Sequence, residues 1–132
     1  MWVIILYERF RKYVMKQEET LILIPKIEKY IEYMLNVILK IPRTEKFNIG
    51  NEYKVSMYRI LINAVYINKV GIKLAHLNTI DAELVLQRIY LRIMVKNRWI
   101  DEKKFKVSME QISEIGKIIG GLIKYYAKNN KK

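Results

Sequence analysis

Apolar residues recur every three to four positions along most of this chain, a spacing that predicts helices and no strands. Leu23, Ile27, Tyr30, Ile31, Met34 and Ile38 form the clearest stripe and predict a helix over residues 20–40. Pro25 falls in its expected first turn, where a missing N–H is harmless. Ile41-Pro42 ends it, because the residue before proline is pushed out of the helical region. Ile49, Tyr53, Met57, Ile60, Ala64 and Ile67 predict a second helix, with Thr44 as its cap. Gly71 and the residues through Asn78 read as a turn, and Asn78 or Thr79 is the expected cap of a third helix ending near Trp99. The apolar residues of that helix, among them Ile80, Leu84, Val85, Ile89, Leu91 and Ile93, cover more than one face, so an oligomer interface is expected there. Asp101 is the expected cap of a fourth helix, which carries Phe105, Met109, Ile112, Ile115, Ile119, Leu122 and Tyr126.

Four such helices of about 20 residues with short connections predict an all-α, antiparallel up-down-up-down four-helix bundle. It is expected over residues 20–128, with a short basic tail at 129–132. Residues 1–19 read as an amphipathic extension, with an extra short helix carrying Val3, Leu6, Tyr7, Phe10, Tyr13 and Val14 on one side. Its apolar run is shorter than the roughly 20 residues that span a bilayer. Basic residues follow that run instead of preceding it as in a secretory signal; the segment either packs on the bundle or extends upstream of it, binding to a membrane surface is the lesser alternative, and no membrane partner is expected.

The stretch 113–124, SEIGKIIGGLIK, holds three of the five glycines inside a helical pattern. Each costs roughly 0.8–1 kcal/mol relative to alanine. Gly116 and Gly120 share a helix face, so close approach of a neighbouring helix is the expected compensation, with Gly121 beside them and Gly50 in the same role on the second helix. The alternative is a helix that stops at Gly120 with Gly121 as its cap; Leu122, Ile123 and Tyr126 continue the spacing against it.

The 132 residues suit one domain, and the formal net charge of +12 points to a polyanionic partner or an acidic protein surface. A lysine-, isoleucine-, asparagine- and tyrosine-rich composition of the kind an AT-rich genome encodes weakens that signal. The absence of cysteine excludes disulfides and thiol chemistry and fits a reducing cytoplasm. His76 is the only histidine and falls in an expected exposed turn. No HExxH, P-loop or GxSxG pattern is present and the carboxylates are scattered, so neither an enzyme nor a cofactor or metal site is expected. Arg88, Arg92 and Lys96 stand at i, i+4 and i+8, beside Tyr90 and Trp99. They form either a solvated face or one that contacts anions.

Three segments occur in a familiar order: IPRTEKFNIG at 41–50, the stretch from Glu83-Leu84 to Leu91-Arg92-Ile93, and EIGKIIGGLIK at 114–124. Over residues 21–124 the chain resembles the accessory variability determinant (Avd) proteins of diversity-generating retroelements. It is more distantly similar to the four-helix proteins encoded in 23S rRNA intervening sequences. The resemblance implies a basic, barrel-like homopentamer that binds template RNA, DNA and a reverse transcriptase, and supports mutagenic cDNA synthesis without catalysing it. On that reading the nucleic-acid contacts are Arg88, Arg92 and Lys96 with Arg43, Lys46, Lys54 and Arg59. The chain departs from the family at Leu122, where tryptophan is frequent, and residues 1–20 have no counterpart. Two rivals remain: an rRNA-intervening-sequence-type bundle with no polymerase partner, and a purely structural bundle.

Overall fold

Each apolar stripe has found the others. The computed structural model describes residues 1–69 and 71–129 and contains α1 (Trp2–Leu39), the single-turn α2 (Arg43–Lys46), α3 (Ile49–Ile67), α4 (Leu74–Lys96) and α5 (Glu102–Asn129), with no strand among the described residues. α3 packs on α1 and α4, and α5 packs on α4 and α1, which closes an all-α four-helix bundle. Leu23, Ile27 and Met34 of α1, Met57 and Ile60 of α3, Leu84 and Leu91 of α4, and Ile112 and Ile119 of α5 are fully or almost fully buried at its centre.

The separate N-terminal helix expected over residues 2–16 is instead the first part of α1, which runs unbroken through Pro25. Thr20 Oγ1 donates to the Lys16 carbonyl at 2.9 Å and Lys16 pairs with Glu19 at 3.2 Å, so side chains reinforce the helix across the expected join. Proline deprives the Leu21 carbonyl of its helical partner, but Leu21 lies on the exposed side, where water can satisfy it. Of the tail expected at 129–132, Asn129 closes α5 and 130–132 lie outside the described residues.

Two of the helix starts differ from expectation. Thr44 lies inside α2 and caps nothing; Asn48, just before α3, makes no side-chain cap and its amide reaches back to the Thr44 carbonyl at 3.1 Å. α4 starts at Leu74, ahead of Asn78 and Thr79, and the Thr79 hydroxyl donates to the Ala75 carbonyl within the helix at 3.1 Å. His76 therefore sits in a helical first turn, half-buried, with Nδ1 2.8 Å from Asn63 Oδ1 and its ring stacked 5.1 Å from that of Tyr66. Asp101 is the cap its position predicts: its carboxylate accepts the Lys104 N–H at 2.7 Å.

A polar chain crosses the apolar centre. The Tyr30 and Tyr53 hydroxyls bond each other, and Tyr30 donates to Gln87 Oε1 at 2.6 Å. Gln87 Nε2 donates to Ser56 Oγ at 2.8 Å, and Ser56 donates to Glu83 Oε2 at 2.6 Å. Burial above all, then Tyr53, raises the Tyr30 phenol well above its ordinary range, with Arg88 working the other way; burial likewise raises Tyr53. Both stay protonated donors at neutral pH. The chain ties α1, α3 and α4 into one register, and no buried side-chain polar atom among the described residues lacks a partner.

The glycines divide. A Cβ on Gly50 would stand 3.1 Å from Ile38 and 3.2 Å from the Glu45 carbonyl oxygen, so this position is tight. No helix backbone closes on the glycines of α5, contrary to expectation. A Cβ on Gly116 would meet the Arg88 guanidinium at 3.2 Å, one on Gly121 would meet the Lys16 ammonium at 3.4 Å, and one on Gly120 would meet nothing within 4 Å. Gly50→Val is expected to destabilise by roughly 1–3 kcal/mol through overpacking. Gly120→Ala should stabilise by about 0.5–1 kcal/mol by removing a helical glycine. Thermal melts of the two variants at one protein concentration check both signs.

Candidate nucleic-acid interface

The up-down path brings distant parts of the sequence to one end of the bundle. The end of α1, α2, the start of α3, the end of α4 and the start of α5 meet there over buried Ile41 and Ile100. Arg43 and Lys46 on α2 thereby join Arg92 and Lys96 at the end of α4; Lys46 is half-buried and the other three are exposed. Lys54, half-buried, follows on the second turn of α3. Lys40, Arg98 and Lys103 belong to the same end and are exposed, and sequence reasoning missed them because nothing in their local pattern marks them. Only three ion pairs form among the described residues, and none involves these cations. The acidic groups of this end are Glu45, Glu52, Asp101 and Glu102, with Asp101 engaged as a cap.

Arg98 has φ 61, the left-handed region that favours glycine. It follows the last turn of α4, where the Arg98 N–H bonds the Val95 carbonyl at 3.1 Å and the Trp99 N–H bonds the Met94 carbonyl at 2.9 Å. Glycine normally occupies that place in such a cap, and a side chain there costs roughly 1–2 kcal/mol. An arginine held at that cost on the basic end suits a contact role.

Arg88 and Arg59 do not join this surface. Arg88 is half-buried between α4 and α5, with its guanidinium over Gly116 in the space the missing Cβ leaves. The stripe expected from Arg88 to Lys96 is therefore exposed only at Arg92 and Lys96. Arg59, whose side chain is 59% exposed, pairs with the nearly buried Glu83 at 3.3 Å and so terminates the polar chain of the core. Glu114 pairs with Lys26 at 3.4 Å.

A second surface is apolar. Val55, Tyr58, Ile62 and Val65 recur at i, i+3, i+7 and i+10 on α3, opposite its core face, and all are exposed. Val85, Ile89 and Ile93 do the same on the adjoining α4. The α4 face was expected from the sequence. The α3 face was legible in the same spacing, but the stronger core stripe on that helix hid it. Among the described residues no group of side chains is arranged to hold a metal ion.

A sequence model of a family described as bAvd-like matches residues 21–126. No curated protein matches the chain. Among solved structures, a protein with unknown function from the S23 ribosomal protein family of Bacteroides thetaiotaomicron is similar, with a TM-score of 0.74 and 15% identity over 80% of this chain and 98% of that one. At that identity the likeness shows the shared fold.

Proposed function

Because the chain belongs to the bAvd-like family, an accessory family without catalytic activity of its own, we propose that it binds a retroelement reverse transcriptase and its template RNA and supports cDNA synthesis as a homopentamer. The observation that carries the RNA part is the convergence of Arg43, Lys46, Arg92, Lys96 and Arg98 on one end of a chain of net charge +12, with no ion pair to neutralise them. Such cations act by displacing counterions from phosphates, which gives affinity without reading sequence. A ring of subunits presents several such ends at once and multiplies weak contacts.

Affinity for single-stranded RNA is expected to fall linearly with salt on logarithmic axes, by about 0.7 per phosphate contacted. Charge reversal at Arg43, Lys46, Arg92 and Lys96 should weaken all RNAs alike and flatten that slope. Reversal of Lys117 and Lys124, exposed further along α5, should leave it unchanged. Equal slopes in both variants would remove RNA from the basic end. Co-purification of the cognate reverse transcriptase from the native host separates this reading from an rRNA-associated bundle without a polymerase partner.

A further inference from the structure

Residues 2–13 of α1 are exposed without a break, the first buried side chain of the helix is Thr20, and the family match begins at residue 21. This projection adds nothing to the core, yet its chemistry is ordered. At about 100° per residue, Trp2, Val3, Ile4, Ile5, Leu6 and Tyr7 turn apolar side chains to every side of the helix, and Trp2 is 78% exposed. One turn behind them stands a basic collar, with Arg9 and Lys12 on one side and Arg11 on the other. Residues 1–16 hold four cations and the single carboxylate of Glu8.

Three occupants compete for this tip. A groove on a protein accepts one stripe and would leave the other sides of an all-round apolar tip in water. A second copy would bring two basic collars together. A planar anionic bilayer surrounds the tip on all sides. Six residues rise about 9 Å, which matches the roughly 5–10 Å to which interfacial helices enter the acyl boundary. The collar then meets headgroup phosphates, with Tyr7 and Tyr13 at the depth tyrosine favours.

We propose that the first turns of α1 insert into one leaflet of a membrane bearing anionic lipids, with Arg9, Arg11 and Lys12 on the headgroups. No helix among the described residues is long and apolar enough to cross a membrane, and insertion needs only part of that length. This reverses the sequence-based expectation of no membrane partner, in which binding to a membrane surface was the lesser alternative. The tip and the basic end lie at opposite ends of α1, so a lipid-anchored molecule still presents the basic end to RNA.

Sedimentation of the full chain with phosphatidylglycerol vesicles and with phosphatidylcholine vesicles tests this. The protein should sediment with the former alone, with a blue shift of Trp2 emission in a Trp99→Phe background. Arg9→Gln, Arg11→Gln and Lys12→Gln together should lower vesicle affinity by about a hundredfold. Val3→Asp with Leu6→Asp should abolish it. Both variants should keep the wild-type melting temperature and oligomer size, because these side chains pack on nothing in the bundle. The proposal is overturned by wild type that ignores phosphatidylglycerol, by variants that sediment as wild type does, or by an oligomer that shrinks when the tip is altered.

Discussion

Gln87→Leu is expected to lower the unfolding free energy by roughly 2–4 kcal/mol, although leucine is close to glutamine in size and the site is fully buried. Volume is nearly conserved, so little of the loss comes from a cavity. The Tyr30 hydroxyl loses its acceptor at 2.6 Å and the Ser56 oxygen loses its donor at 2.8 Å, both where water cannot replace them. A buried group left unpaired costs more than its hydrogen bond contributed. Adding Tyr30→Phe should not restore the loss, because the buried Tyr53 hydroxyl then loses the Tyr30 oxygen it bonds. Urea denaturation of the two single variants and the double variant gives that coupling directly. All must be compared at one protein concentration, since assembly shifts apparent stability. A neutral Gln87→Leu would mean that apolar packing alone sets the helix register.

That polar chain also shows what a single sequence conceals. Leu23, Ile27, Met57 and Ile112 were legible as core because each repeats with the helical period, and all are buried. Ser56, Glu83 and Gln87 occupy core-facing positions too, but a polar residue beside an apolar stripe reads as its edge. Only the meeting of α1, α3 and α4 turns them into partners. Arg88 fails for the same reason: its spacing places it with Arg92 and Lys96, and the missing side chain at Gly116, 28 positions on, lets it fold inward. The basic end is the converse case. Arg43, Lys46 and Arg98 carry no shared local pattern, and the chain path assembles them. Pro25 misled because proline usually marks a helix start, and here its freed carbonyl falls on the exposed side of a helix that side chains hold together.

Ile62→Asp combined with Ile89→Asp is expected to reduce the proposed oligomer to monomers at micromolar concentration. Ile62 is 53% exposed and Ile89 39% exposed on the isolated chain, one at the middle of each apolar stripe on the outer faces of α3 and α4. Burying an isoleucine fully is worth about 1.5–3 kcal/mol, and putting an unpaired carboxylate in its place costs several times the charge's weak interactions in water. The fold itself should hardly respond, because neither side chain contributes to the core. RNA affinity should nevertheless fall by roughly 10²–10⁴, since each monomer keeps its contacts but loses those of its neighbours. The salt slope should fall as well, because fewer phosphates are met per bound particle. Charge reversal at the basic end should flatten the slope while leaving particle size alone, so light scattering beside the RNA titration tells lost avidity from lost contact. A double aspartate variant that stays assembled, with its RNA affinity intact, would free the α3–α4 face for a different partner, and the reverse transcriptase would be the one to test on it.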